Sequence, residues 1–185
     1  MAVSTRGKVR IIGGEWRSRL LSFPDNADLR PTADRIRETL FNWLGQDIND
    51  FKCLDLFAGS GALGFEAASR GARKVVMVEN DASVYNALRE NKEKLSANQV
   101  ELLKMDAVAF LKSDTQKFDV IFLDPPYRLD LLPTVLPLLP EHIESNGAVY
   151  IETEGDWRPN DAWQVMRSGK AGKVYYQLLE LRSHG

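Results

Sequence analysis

From residue 52 onward, short apolar runs alternate with longer stretches whose apolar positions recur every three or four residues. "CLDLF" (53–57), "KVVMVEN" (74–80), "VELLKMD" (100–106), "FDVIFLD" (118–124) and "GAVYIETE" (147–154) read as buried strands. Residues 61–70 and 81–96 have helical spacing between them, the first closed by Gly71. Strands joined by helix-length crossovers predict right-handed βαβ units and a mostly parallel sheet. "WQVMRS" (163–168), a loop 169–173 and "VYYQLLELR" (174–182) predict an antiparallel hairpin that closes it. Asp55, Glu79, Asp106 and Asp124 all fall at or near the ends of predicted strands. Ligands of open α/β sheets bind beyond those carboxyl ends, so four acids there mark a candidate site.

The first fifty residues follow a different pattern. In "LRPTADRIRETLFNWLG", Pro31 suits a helix start and Gly45 a stop. Ile36, Leu40, Trp43 and Leu44 form one apolar face, which leaves Asp34, Arg35, Arg37 and Glu38 on the helix surface. The expected organisation is a basic β-hairpin arm and helix over 1–50, then the main domain over 51–185. Charge sharpens this division. Residues 1–24 carry Arg6, Lys8, Arg10, Arg17 and Arg19 against Glu15, a net of +4 within a chain of −2, so the remainder carries −6. A basic arm on an acidic body suggests a polyanion on one side, although a solvated tail has the same composition. Cys53 is the single cysteine, and only His142 and His184 could join it as soft metal ligands, so neither a disulfide nor a metal site is expected. With no run long enough to cross a bilayer and no signal-peptide pattern, the expectation is a cytoplasmic, membrane-free, metal-free monomer.

"DLFAGSGALG" places Gly59, Gly61 and Gly64 in a G-x-G-x-x-G spacing between a strand and a helix, with Glu79 ending the next strand. The spacing alone fits a dinucleotide pyrophosphate. Asp55, four residues before Gly59, argues against it: a carboxylate at the mouth of the loop repels phosphate and welcomes a cation, such as the ammonium and sulfonium of S-adenosyl-L-methionine. Glu79 suits ribose hydroxyls. Asp106 with the following amide suits an adenine edge, or caps a helix. No His, Lys or Tyr stands out as a hydride-transfer partner.

"VIFLDPPYRL" (120–129) ends a strand on Asp-Pro-Pro-Tyr. A double proline stops a sheet ladder, but that leaves the acid and the ring unexplained. With a methyl donor across the same edge, the four residues form an amine clamp. The lone pair of a nucleobase amine is delocalised; accepting both N–H hydrogens, on the Asp124 carboxylate and the Pro125 carbonyl, localises it. Pro125 and Pro126 hold the acceptors rigid, and Tyr127 stacks on a base swung out of its helix. Adenine N6, guanine N2, cytosine N4 and a glutamine amide all suit such a clamp.

The donor loop, "VEND" and "LDPPY" resemble those of class I S-adenosylmethionine-dependent methyltransferases, and "VRIIGGEWRSRLL" with "LRPTADRIRETLFNWL" resembles the bacterial 16S rRNA guanine-N(2) methyltransferases of the D type. The resemblance implies a Rossmann-like α/β fold: a seven-stranded, mostly parallel sheet with helices on both faces. It implies methyl transfer to N2 of one guanine, at nucleotide position 966 of 16S rRNA, in small-subunit assembly particles. Carried onto this chain, it implies cofactor contacts at Asp55, Phe57, Ala58, Gly59, Ser60, Gly61, Glu79, Asn80, Asp106, Ala107 and Asp124, and catalysis at Asp124, Pro125, Pro126 and Tyr127.

RNA contacts are expected at Lys8, Arg10, Arg17, Arg19, Arg30 and Arg35, with Lys170 and Lys173 as lesser candidates. If Gly13-Gly14 is a two-residue hairpin turn, Arg10 faces Arg17 and Lys8 faces Arg19, a repulsion that RNA phosphates would relieve, so the arm is expected to be poorly ordered alone. Arg30, Thr32 and Arg35 border the cofactor or the target, unless Thr32 merely caps its helix and the arginines are surface charges.

Overall fold

A computed structural model describes residues 6–25, 29, 31–45, 47–126 and 130–183. Its chain order is β1 (Arg6–Arg10), β2 (Leu20–Pro24), α1 (Asp34–Leu44), β3 (Lys52–Asp55), α2 (Ala62–Ser69), β4 (Lys74–Glu79), α3 (Ala82–Leu95), β5 (Val100–Lys104), α4 (Ala107–Ser113), β6 (Phe118–Leu123), α5 (Leu132–Val135), β7 (Ile143–Glu154), β8 (Trp163–Ala171) and β9 (Val174–Leu181). Seven strands form one sheet in the order β5-β4-β3-β6-β7-β9-β8. Strands β3 to β7 are parallel, and β9 runs antiparallel to both β7 and β8. The expected C-terminal hairpin is present with a tighter turn than the five-residue loop anticipated, because Ala171 pairs directly with Val174 around Gly172 and Lys173.

Strand alternation divides the core in two. Cys53, Val75, Met77, Val120 and Phe122 face α1, α2, α3 and the arm, whereas Leu54, Val76, Val78, Ile121 and Leu123 face α4, α5 and their neighbours. Successive strand side chains point to opposite faces, so a sheet covered on both sides needs apolar residues at consecutive positions. That is why these strands read as continuous runs. α2 is buried at every position, Ala62 to Ser69, as suits a helix wedged between sheet and arm. Among the described residues no helix is long and apolar enough to cross a membrane.

The arm departs from expectation. β1 and β2 pair in the register Lys8↔Ser22, Val9↔Leu21 and Arg10↔Leu20, so residues 11–19 form a connection and Gly13-Gly14 is no hairpin turn. Arg10 therefore does not face Arg17, nor Lys8 Arg19. The glycines serve a closer approach. Gly14 has φ +80°, and a Cβ there would lie 2.0 Å from the Ser69 carbonyl oxygen at the end of α2. Glu15 N–H donates to that carbonyl at 2.8 Å, and Trp16 N–H to Ser69 Oγ at 2.9 Å. Val9, Ile11, Trp16, Leu21 and Phe23 join the same core as the main sheet. The arm is packed and hydrogen-bonded without RNA, contrary to the expectation of disorder. Lys8, Arg10, Arg17 and Arg19 remain exposed on its outer side.

The second departure is Arg37. Expected on the surface of α1, its side chain is wholly buried beside the equally buried Glu66 of α2. Its Nη1 donates to Glu66 Oε1 at 3.1 Å and to the Arg10 carbonyl at 2.8 Å, its Nε donates to the Thr32 carbonyl at 3.0 Å, and its Nη2 pairs with Asp34. Glu66 also accepts from the Ile12 and Gly13 amides, each at 2.9 Å, and from Arg70 Nε at 3.0 Å. A buried ion pair persists where hydrogen bonds satisfy its remaining atoms. Here those bonds tie the arm, the start of α1 and α2 together.

Candidate active site

The chain runs outward from β3 through β4 to β5, then returns to place β6 on the other side of β3. This reversal makes β3/β6 the topological switch point, where a crevice opens at the carboxyl ends of the strands. Asp55 ends β3, Glu79 ends β4 and Asp124 follows β6. Asp106, two residues beyond β5, completes a row across four adjacent strands, as the sequence pattern anticipated.

Asp55 lies beneath the glycine loop rather than at its mouth. It is 2% exposed, and its Oδ2 accepts the Gly64 N–H at 3.0 Å. Burial pushes its pKa up to about 8; the Gly64 amide pulls down and the Glu79 carboxylate pushes further up. Glu79 shapes the loop from the next strand: Oε1 accepts Gly59 N–H and Oε2 accepts Asp81 N–H, both at 2.9 Å. Gly61, with φ +82°, starts α2 in the left-handed region, and a Cβ there would meet the Phe65 ring at 2.5 Å. Its demand for glycine thus comes from the packing of its own helix, whatever ligand the loop holds. Ala58 N–H donates to the Val78 carbonyl at 3.0 Å, and Ser60 Oγ accepts from Ala62 N–H at 3.3 Å, so the loop is pinned to β4 and α2. Phe57 is half-buried and Asn80 is exposed at the crevice rim. Asp106 caps α4, accepting from Ala109 N–H at 3.0 Å, and Ala107 is that helix's first residue.

Across the switch point, Asp124 is half-buried, Pro125 is buried and Pro126 is exposed. Asp124 is held well above the usual carboxylate range, first by burial, then by the carboxylates of Glu152 and Asp55, with the Thr32 hydroxyl pulling the other way. Thr32 Oγ1 lies 3.1 Å from Glu152 Oε2 and 3.4 Å from Asp124 Oδ2. Thr32 is therefore not a helix cap: Ala33 occupies that position without a side-chain bond. Glu152, buried in β7, also accepts from the Tyr150 hydroxyl at 3.0 Å. Sequence reasoning missed Glu152. The available signal was an acid near the end of yet another parallel strand, "VYIETE", obscured by Glu154 two residues on. Tyr127 and Arg30 lie outside the described residues. Arg35 is exposed on α1.

This sheet order, with its antiparallel final pair, acids along the carboxyl edge and Asp-Pro-Pro after β6, defines the class: a Rossmann-like class I methyltransferase fold. Structures with little sequence similarity share it, among them an RNA methyltransferase from Salinibacter ruber in complex with S-adenosyl-L-homocysteine, at TM-score 0.62 and 20% identity. Residues 9–180 match the family model described as "Conserved hypothetical protein 95". The chain is 42% identical to Ribosomal RNA small subunit methyltransferase D of Haemophilus influenzae over 186 residues, covering 96% of each protein. It is 41% identical to the protein of that name from Escherichia coli K12, covering 98% of this chain and 94% of that one. A solved structure described as putative methyltransferase yhhF from Escherichia coli superposes with TM-score 0.86 at 39% identity, covering 96% of this chain and all of that one. The chain belongs to the family of bacterial small-subunit ribosomal RNA methyltransferases of the D type.

Proposed function

We propose that this protein transfers a methyl group from S-adenosyl-L-methionine to the exocyclic N2 of one guanine, at nucleotide position 966 of 16S rRNA, in the assembling small subunit of the bacterial cytoplasm. The observation that carries this reading is the set of carboxylates at the switch point. Among the described residues, no cation figures among the groups that act on Asp55 or Asp124. A crevice walled by negative charge suits a cationic donor and a target amine that becomes positive as it reacts, and it repels a pyrophosphate. The relatives named as ribosomal RNA methyltransferases support the same substrate class.

The residues fit such a donor. The Gly59–Gly61 turn, pinned from both sides, forms the cradle; Glu79, each oxygen of which keeps a lone pair beyond its amide bond, faces ribose hydroxyls. Asp55 lies under the loop as a buried negative charge that a cation above it would stabilise in ionised form. When bound, the donor supplies a methyl on a sulfonium: the carbon–sulfur electrons return to sulfur as the amine lone pair forms the new carbon–nitrogen bond.

The protein orients that lone pair. The Asp124 carboxylate and Pro125 carbonyl accept the two amine hydrogens, and Pro126 keeps the turn rigid. The methylated nitrogen must then shed one proton, and Asp124, already hydrogen-bonded to it and raised above ordinary carboxylates, can take it before passing it to solvent. Placement of the reacting atoms is the main contribution, on the order of 7–11 kcal/mol where alignment is good. Tyr127 stacks on the flipped base. Lys8, Arg10, Arg17, Arg19, Arg30 and Arg35 hold phosphates beside the crevice, and the protein works as a monomer.

The test uses purified protein, labelled S-adenosylmethionine and small subunits lacking the modification, followed by digestion and mass identification of methylated nucleosides. N2-methylguanosine at one site is expected. A different methylated base would retain the clamp and overturn the guanine assignment, and label in protein would move the target to a glutamine amide.

A further inference from the structure

Thr32 and Glu152 belong to neither sequence motif of the site, yet their arrangement bears on which base enters it. Both are 5% exposed. A hydroxyl has one proton to give and two lone pairs to offer. The Thr32 hydroxyl has two carboxylates in reach: Glu152 Oε2 at 3.1 Å, buried, and Asp124 Oδ2 at 3.4 Å, half-exposed. The nearer and more buried oxygen takes the proton, because a buried charge left without donors costs more than one that water still reaches. The Tyr150 hydroxyl, 3.0 Å away, fills the second lone pair of the same Glu152 oxygen. Thr32 Oγ1 then faces Asp124 Oδ2 as one acceptor beside another. Its backbone is held in place, since the Arg37 guanidinium donates to the Thr32 carbonyl.

We infer that Thr32, oriented as an acceptor by Glu152, determines base specificity by reading an N–H bond next to the amine that is methylated. This rests on the methyl-transfer reading above and deepens it. The amines that fit an Asp-Pro-Pro clamp differ in their neighbour. Guanine N2 adjoins N1–H, a donor. Adenine N6 adjoins N1 and cytosine N4 adjoins N3, both bare acceptors, and a glutamine amide nitrogen adjoins a carbonyl. The Pro125 carbonyl, the Asp124 carboxylate and Thr32 Oγ1 together offer three acceptors, and the guanine edge presents three N–H bonds. Adenine or cytosine would set a ring lone pair against the Thr32 lone pair, so the site selects by the penalty of an unpaired acceptor as well as by the hydrogen bond it makes.

The test is single-turnover methylation of two RNAs, one carrying guanine at the target and one carrying 2-aminopurine, which keeps the 2-amine but has a bare ring nitrogen at position 1 and lacks the 6-oxo group. The wild type is expected to favour guanine by roughly tenfold or more, the scale of one buried hydrogen bond. Thr32→Val, which keeps the shape and removes the oxygen, is expected to bring the two rates within about threefold, chiefly by slowing guanine. Thr32→Ser should retain the wild-type ratio. S-Adenosylhomocysteine affinity, read by calorimetry, should be the same in all three. An unchanged ratio in Thr32→Val, or a ratio lost equally in Thr32→Ser, would overturn the inference while leaving guanine methylation standing. Failure of the wild type to methylate either RNA would overturn the reading beneath it.

Discussion

The two halves of the crevice are built in opposite ways. The donor side is local: Asp55, the glycine loop, α2 and Glu79 fall within 25 consecutive residues, and their hydrogen bonds join near neighbours such as Gly64 N–H to Asp55 and Gly59 N–H to Glu79. The amine side is assembled from afar. Thr32 reaches Asp124 across 92 positions and Glu152 across 120. Asp124 stays half-exposed where Asp55 is sealed beneath the loop. A short motif can hold a diffusible donor because backbone amides and one strand turn suffice. Presenting acceptors to a particular base requires side chains from separate strands and from the segment ahead of α1.

The contrast breaks most sharply at Asp124. Asp124→Ala removes one amine acceptor and is expected to lower kcat/KM by roughly a thousandfold, the scale at which removing one preorganised polar group from a transition state is felt. Donor binding should persist, and thermal stability should hold or rise, because a carboxylate crowded by Asp55 and Glu152 is removed. Methylation rates beside calorimetric donor affinity check this; near-normal turnover would discard the clamp.

Next comes the joint between the halves. Arg37→Met leaves Glu66 buried with its guanidinium partner on α1 gone, although Arg70 remains. A loss of about 3 kcal/mol in urea unfolding is expected, at the lower end for breaking a buried pair because one cation stays. Tertiary release of residues 11–16 should be visible as faster amide exchange at Ile12 and Gly13, whose amides Glu66 binds.

The donor side has a pH signature of its own. With a folded pKa of about 8 against an ordinary 3.8, Asp55 keeps a proton in the folded protein that the unfolded chain releases between those values. The folded state binds more protons in that window, so this residue's contribution to stability falls as pH rises from about 4 to 8. A cationic donor favours the ionised form, so its affinity should increase with pH, by up to about tenfold per unit, and level off above pH 8. Asp55→Asn should flatten the affinity profile. A donor affinity independent of pH in the wild type would separate Asp55 from the ligand.

The smallest effect on the fold is expected from Arg10→Glu with Arg17→Glu, since both side chains are exposed. Stability should change by less than about 0.5 kcal/mol for each. RNA affinity should fall, and the slope of log K against log salt should shrink by about one for each phosphate that is no longer neutralised. Unchanged RNA binding would leave the arm a purely structural strap on α2.

The sequence by itself determined the sheet, its predominantly parallel sense and the row of acids on its carboxyl edge. Strand-length apolar runs, helical spacing and Asp-Pro-Pro are local signals, and the order of elements limits how they can be arranged. It also determined the family, because the motifs are contiguous. It misread Gly13-Gly14 as a turn, since the glycine requirement there comes from the Ser69 carbonyl, more than fifty residues away. It misread Arg37 as a surface charge, because a buried guanidinium looks identical in sequence to a solvated one until Glu66 and two carbonyl oxygens close around it. Glu152 stayed hidden for the same reason. Only the tertiary structure brought these groups together: hydrogen bonds between distant residues satisfy buried charges one pair at a time, and they leave no periodicity along the chain by which to find them.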